Sequence, residues 1–159
     1  MRPEMSTVAA TVELDNLPPA AVLTFAEGLV GCPAWRRFVL LEDADDPGQV
    51  ALLQCLDEPS VSFLVTDPRL IRPDYRAALG PEDRAALGLD GTVEPVLLCI
   101  LHYRAETREV TANLLGPLVI NPQTRRGRQV VLTEGGYSAR FPVPLEPDDS
   151  GVSAAPARG

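Results

Sequence analysis

The chain has 159 residues, of which 45% are hydrophobic, which is typical of one globular domain. Its formal net charge of −8 argues against a nucleic-acid surface, because such a surface needs clustered positive charge to displace counterions from phosphates. No segment approaches the roughly 20 apolar residues that span a bilayer, and no signal peptide is recognisable. We therefore expect a cytoplasmic monomer that contacts neither membranes nor nucleic acids directly.

Short segments rich in β-branched and apolar residues predict strands in the first half of the chain. They are Thr7–Leu14, Val22–Phe25, Phe38–Leu41, Val50–Leu56 and Val61–Val65. The four residues between the last two strands, 57–60, predict a hairpin loop. Residues 1–6 are expected to be a flexible start, and residues 42–48 form an acidic loop with a Pro-Gly turn.

The second half predicts one short helix and further strands. The helix begins at Pro81, where a missing N–H costs nothing, and ends at Gly88. The strands are Val96–His102, which is apolar on both faces, Val110–Ala112, Leu114–Ile120 and Arg128–Leu132. This order predicts a mainly β fold, a small antiparallel barrel-like single domain over residues 7–145. The small polar residues of 146–159 predict a disordered tail.

Candidate catalytic groups are few. Three cysteines, Cys32, Cys55 and Cys99, occur without a CxxC motif, which argues against a disulfide framework or a zinc site. Cys99 and His102 are three residues apart on a strand, so they point to opposite faces. A spatial pair of Cys55 and His102 stays open as the basis of a cysteine enzyme. The prediction is a protein without catalysis, metal or cofactor, and a small-molecule-binding barrel is the alternative.

The segment from Asn113 to Leu132 reads NLLGPLVINPQTRRGRQVVL, and with Thr111-Ala112 before it resembles the conserved motif of the FliW family of flagellar assembly factors. Three further segments resemble other family motifs in the same order, across residues 7–145: Thr24–Gly31, Leu64–Tyr75 and Tyr137–Pro142. The chain departs from the family pattern at Ala26 and Val30, where prolines are usual, at Cys32, where an aromatic is common, and at Phe141, where histidine is common.

The resemblance implies a compact β-barrel-like protein that binds two alternative protein partners and needs no cofactor. One partner is flagellin before its export, for which the protein acts as a chaperone. The other is CsrA, an RNA-binding translational regulator that represses flagellin mRNA and that FliW-type proteins antagonise. Because flagellin competes for the same protein, free flagellin releases CsrA and reduces its own synthesis.

The partner-binding surface is predicted in the segment from Asn113 to Arg128. Within it, Thr124 and Arg125 would donate to partner groups, and Asn121 would shape the turn that presents them. The other predicted residues are Asn113 and Arg128 in the same segment, with Asp67, Asp74 and Tyr75 as a second edge. Asn, Pro and Gly are also the usual turn formers, so a purely structural role for this segment stays open. An acidic protein body would attract the basic surface of an RNA-binding partner.

Overall fold

A computed structural model describes the backbone of Val8–Ala9 and all atoms of residues 21–42 and 50–143. Ten strands and one α-helix occur in the described residues. In chain order they are β1 (Val8–Ala9), β2 (Val22–Phe25), β3 (Arg37–Glu42), β4 (Val50–Cys55), β5 (Ser62–Thr66), α1 (Pro81–Leu87), β6 (Val96–Arg104), β7 (Glu109–Ala112), β8 (Leu118–Asn121), β9 (Arg126–Gln129) and β10 (Phe141–Val143). A 3-10 turn at Pro68–Leu70 follows β5.

Seven strands close into a barrel in the order β6, β5, β4, β3, β2, β9 and β8, with β8 returning to β6. Strand β6 has nine residues, so one of its edges serves two partners. Residues 96–98 pair with β8, and residues 101–104 pair with β7. Strand β10 adds to β7, so a three-stranded extension, β6–β7–β10, projects from the barrel. The predicted mainly β, barrel-like fold with one short helix is confirmed.

Two of the strand pairs are parallel, although the other pairs in the described residues are antiparallel. Strand β1 lies parallel to β3, and β2 lies parallel to β9. The second pair closes the barrel and places Thr24 opposite Arg126 and Phe25 opposite Gly127. This contact joins segments that are far apart in the sequence.

Side chains fill the barrel interior. The largest of them, including Phe25, Phe38, Leu53 and Leu118, have no exposed surface. Phe25 and Phe38 meet edge to face with ring centroids 5.4 Å apart, a favourable aromatic geometry. The interior is therefore a packed core, which removes the central cavity that a small-molecule-binding barrel requires.

A second apolar cluster lies outside the barrel wall. Strands β6 and β8 face both clusters, because alternate residues such as Leu97 and Leu98 point to opposite sides. Helix α1 covers the outer cluster with Leu87, which is 1% exposed. The predicted burial of this strand on both faces is confirmed for Val96–Cys99, whose side chains serve the two cores, while the strand continues to Arg104 and is exposed from His102 onward.

Helix α1 begins and ends where the sequence predicted. Gly80 caps its N-terminus, and Asp83 accepts a hydrogen bond from the Gly80 N–H at 3.4 Å. Gly88 ends the helix at a φ of 70°, in the left-handed region that glycine adopts without a Cβ penalty. A helix of seven residues is too short to be stable alone, so its packing on the outer cluster holds it.

Most predicted strand boundaries differ from the structure by one or two residues, and two strands differ by more. The predicted strand Leu114–Ile120 begins only at Leu118, and the predicted strand Arg128–Leu132 is β9, Arg126–Gln129. The backbone still pairs beyond these ends, because Val130 N–H donates to Pro117 and Leu132 N–H donates to Leu115. Pro117 has no N–H to donate, which interrupts the regular ladder. Strand β10 was not predicted, since it has three residues and contains Pro142.

Most of the predicted strand Thr7–Leu14, most of the acidic loop 42–48, the flexible start 1–6 and the tail 146–159 lie outside the described residues. In the part that is described, no helix is long and apolar enough to cross a membrane.

Candidate functional site

The turn between β8 and β9, residues 121–125, is called the Asn121 turn. Its first residue is 1% exposed and contacts both the turn and α1. The Asn121 side-chain N–H donates to the carbonyl of Leu87 at 2.7 Å, and its side-chain oxygen accepts from Gln123 N–H at 2.9 Å. Its backbone carbonyl also accepts from Arg125 N–H at 2.9 Å. One buried amide therefore satisfies the end of the helix and sets the shape of the turn.

The Asn121 turn presents Thr124 to solvent and leaves Arg125 half-buried. Arg125 has a φ of 64°, an uncommon conformation for a residue with a Cβ. Its carbonyl accepts from Thr24 N–H at 2.9 Å, so this conformation lies at the junction with β2. Thr124 is the member of the turn that is both predicted to bind a partner and exposed.

Gly127 packs directly against the distal end of the Phe25 ring. A Cβ at this position would lie 2.6 Å from the Phe25 ring, well inside van der Waals contact. Its strand β9 is held on both sides, by β2 and by β8. The glycine in the Arg-Gly-Arg sequence is therefore required by packing of the barrel core.

Arg128 is the centre of an ion-pair network rather than an exposed cation. Its guanidinium lies 3.3 Å from Asp83, 3.4 Å from Glu27 and 3.6 Å from Glu82. The Arg128 and Asp83 side chains are only 19% and 20% exposed, whereas those of Glu27 and Glu82 are mostly exposed. Arg128 thus joins β9 to α1 and to the loop after β2.

Tyr75 is buried and supports the segment that contains Asn113. Its hydroxyl donates to the carbonyl of Leu114 at 2.6 Å, and its ring lies 4.5 Å from that of Tyr137. Burial raises the pKa of the Tyr75 hydroxyl. The Asn113 side chain is half-buried and accepts from Gly116 N–H at 2.9 Å. Both residues hold the chain before β8 in place.

The two predicted aspartates have contacts within their own segment. Asp67 caps the 3-10 turn, since its carboxylate accepts from Arg69 N–H at 2.9 Å. Asp74 lies 3.4 Å from Arg72 and its side chain is 76% exposed. The structure therefore does not bring all the predicted residues together. Asn121 and Thr124 adjoin the C-terminal end of α1, and Arg128 pairs with its first turn. Arg125 lies at the junction with β2, while Tyr75 and Asn113 adjoin the outer cluster.

Two side chains that sequence reasoning did not select connect these elements. Gln129 accepts from Val30 N–H at 2.8 Å and donates to the carbonyl of Gly116 at 2.9 Å. The Arg72 guanidinium lies 5.4 Å from the ring centroid of Tyr137 and 5.8 Å from that of Phe141, within cation–π range. Gln129 and Tyr137, the ring partner of Arg72, lie inside the motifs that resemble the family, although residue spacing alone gives no reason to select them.

The negative charge of the chain is concentrated outside the described residues. Residues 21–42 hold two arginines and two acidic residues, and residues 50–143 hold ten arginines and eleven acidic residues. The described residues therefore sum to −1, which leaves −7 of the total −8 for the remaining segments. The expectation of an acidic body is wrong for the described fold, because its acidic side chains are matched by arginines.

The cysteines do not form a catalytic arrangement with His102. Cys99 is fully buried in the outer cluster, and burial raises its pKa to about 12. Cys55 is fully buried in the barrel interior, while His102 is exposed near the C-terminal end of β6. A reactive cysteine needs an accessible thiolate, and neither buried thiol meets that requirement. Among the described residues, no group of three or more His, Cys, Asp or Glu side chains is placed to hold a metal ion.

Comparisons with known proteins agree with this architecture. The family model described as FliW protein matches residues 6–143. Flagellar assembly factor FliW 2 of Desulfotalea psychrophila is 32% identical over 140 residues, covering 88% of this chain and 91% of its own length. Flagellar assembly factor FliW of Bdellovibrio bacteriovorus is 38% identical over 122 residues, covering 77% and 69%. A crystal structure of the flagellar assembly factor FliW superposes with a TM-score of 0.73 at 27% identity, covering 82% of this chain and 91% of that one.

Proposed function

The chain belongs to the FliW family of flagellar assembly factors, and on that basis we propose that it is a cytoplasmic, non-catalytic protein that binds flagellin and CsrA in alternation. In complex with CsrA it prevents repression of flagellin mRNA, and in complex with flagellin it acts as a chaperone. Newly made flagellin displaces CsrA, which then restores repression. The observation that carries this proposal is the family match, which extends over nearly the whole described fold.

The geometry supports a binding protein rather than an enzyme or a small-molecule carrier. The barrel interior is packed, the two buried cysteines lie away from His102, and a rigid surface surrounds the end of α1. A turn held by buried hydrogen bonds loses little conformational entropy on binding, which favours affinity. We therefore place the partner-binding surface at the Asn121 turn and the adjoining face of α1, with the exposed Asp74 on a second edge.

Two of the predicted contact residues are suited to direct contact, and the others act through the fold. Thr124 and Asp74 are exposed, so replacing either one removes contact groups at small cost to stability. Arg125 is half-buried at the same turn. Asn113, Asn121, Tyr75 and Arg128 hold the surface in shape through the hydrogen bonds and ion pairs described above.

Electrostatic attraction of a basic partner would come from the acidic sequence Asp43-Ala44-Asp45-Asp46 more than from the near-neutral body. Charge complementarity of this kind mainly accelerates association and is screened by salt. The binding of CsrA is therefore expected to weaken as ionic strength rises.

The decisive experiment is size-exclusion chromatography with light scattering on the purified full chain mixed with CsrA from the same host, followed by addition of flagellin. A stable complex with CsrA that flagellin dissolves is the expected result. A protein that co-elutes with neither partner would contradict the proposal.

Variants then locate the surface and the charge effect. Thr124→Ala and Asp74→Ala are expected to weaken binding without a change in thermal stability, whereas the matched control Thr107→Ala, exposed in the β6–β7 hairpin, leaves binding unchanged.

Replacing Asp43, Asp45 and Asp46 by Asn is expected to reduce the association rate with CsrA. The matched triple replacement of the exposed Glu94, Glu106 and Glu134 by Gln is the control. If the binding of CsrA did not change with salt concentration, an electrostatic contribution to binding would be excluded.

A further inference from the structure

A basic pocket lies on the β6–β7–β10 extension, and none of the predicted partner-binding residues lines it. Its volume is about 430 Å³, within the range of sites that bind ligands of small or moderate size. It is lined by His102, Arg104, Glu109, Thr111, Ala139 and Arg140.

Strand pairing places four of these side chains on one face, and Ala139 and Arg140, directly before β10, complete the pocket. His102 lies opposite Thr111, and Arg104 lies opposite Glu109. Directly opposed residues of an antiparallel pair share a face, as do residues two apart on one strand. Leu101 and Tyr103 point to the other face, where Leu101 packs against the outer cluster. The pocket is therefore fixed by the register of two paired strands.

The pocket is positively charged in an acidic protein. In the part of the chain that the structure describes, Arg37, Arg72 and Arg128 are paired with carboxylates, but no ion pair joins Arg104 or Arg140 to one. A guanidinium without an internal carboxylate presents a planar fork of N–H donors that matches a carboxylate in two parallel hydrogen bonds. The Thr111 hydroxyl and the His102 ring N–H are further hydrogen-bond donors beside the two arginines.

From this set of donors we propose that the pocket binds an acidic peptide segment of a protein partner. Arg104 and Arg140 each bind a carboxylate of the segment, and the Thr111 hydroxyl and the His102 ring donate to the remaining oxygens. The Glu109 carboxylate repels a compact dianion, and it accepts a hydrogen bond from a peptide N–H of the segment. A nucleic acid fits the site poorly, since the described lining residues include no Phe, Tyr or Trp ring for base stacking. The site is separate from the Asn121 turn and does not depend on the identity of CsrA or flagellin as partners.

The test is a titration of the full chain, labelled with nitrogen-15 and observed by NMR at low ionic strength. The probe is a blocked peptide of alternating aspartate and serine, and the comparison probes are the same peptide with asparagine for aspartate and inorganic phosphate. Saturable shifts are expected at Arg104, Thr111 and Arg140 with the acidic peptide. The asparagine peptide and phosphate are expected to bind much more weakly.

Variants separate a built site from general charge attraction. Arg104→Gln and Arg140→Gln are each expected to lower the affinity for the acidic peptide about tenfold, because each removes a charge-assisted pair of hydrogen bonds. Arg36→Gln is the matched control, because Arg36 is an exposed arginine before β3, outside both the pocket and α1. The proposal is overturned if no saturable binding occurs or if Arg36→Gln weakens binding as much. It is also overturned if the asparagine peptide or phosphate binds as tightly as the acidic peptide.

Discussion

The side-chain amide of Asn121 and the backbone carbonyl of Leu87 form a buried 2.7 Å hydrogen bond between residues 34 positions apart. Leu87 is the last residue of α1, where helix carbonyls lack intrahelical partners. The same amide also orders the turn that follows β8. The shape of the predicted binding surface and the position of the helix are therefore one structural unit.

Asn121→Ala is expected to lower the free energy of unfolding by about 2–3 kcal/mol, because it leaves the buried Leu87 carbonyl without its donor. Asn121→Asp is expected to cost more, since it sets a carboxylate against that carbonyl. Urea denaturation followed by circular dichroism measures both. Gln123→Ala, at an exposed position of the same turn, is the control and is expected to change stability by less than about 0.5 kcal/mol. An Asn121→Ala variant as stable as the control would show that the contact is not needed.

Gly127→Ala is expected to destabilise the protein by about 1–3 kcal/mol through overpacking, because the added Cβ would lie only 2.6 Å from the Phe25 ring. Phe25→Leu removes part of that ring, so the double variant is expected to be more stable than the sum of the two single changes predicts. The coupling, of about 1 kcal/mol, is measured in a double-mutant cycle by urea denaturation. Strict additivity would show that strain at Gly127 arises elsewhere.

Asp57 is expected to make stability depend on pH. Backbone N–H groups of Arg37 and Arg36 donate to its carboxylate, each at 2.8 Å, and they hold its pKa below the ordinary value of 3.8. A depressed pKa in the folded state contributes stability above the unfolded pKa, and that contribution is lost as pH falls through the folded pKa. Asp57→Asn is therefore expected to show a smaller decrease of the urea midpoint with acidification below the unfolded pKa. Parallel pH profiles of the two proteins would contradict this assignment.

Cys99 and Cys55 are expected to resist alkylation in the folded protein. Both side chains are fully buried, and the pKa of Cys99 is raised to about 12, so its thiolate is scarce at mildly alkaline pH. Half-buried Cys32 is expected to react with iodoacetamide first. Mass spectrometry after timed quenching distinguishes the three, and urea-unfolded protein, in which all three react, is the control. Rapid native labelling of Cys55 or Cys99 would reopen the hypothesis of a cysteine enzyme.

The predicted partner-binding residues illustrate what local sequence leaves undecided. Arg128 is predicted as a contact residue because it belongs to the segment from Asn113 to Arg128 that resembles the family motif. In the structure its guanidinium is held by Asp83, Glu27 and Glu82, which come from two other segments. Tyr75 is predicted to lie on the second edge of the partner-binding surface, but in the structure only 2% of it is exposed. Neither outcome follows from spacing, because burial depends on which distant segments cover a residue.

Local sequence patterns are sufficient to predict the mainly β fold, the limits of α1 and the strand at residues 96–102 that is apolar on both faces. Those features depend on local chemistry: the proline and glycine at the helix ends, and the alternation or continuity of apolar side chains. Tertiary structure alone decided how the barrel closes, with β2 parallel to β9 and one edge of β6 divided between β8 and β7. It also decided that Asn121 meets Leu87 and that β10 exists. These contacts join distant segments, and their free energy is gained only when the closed barrel brings those segments together.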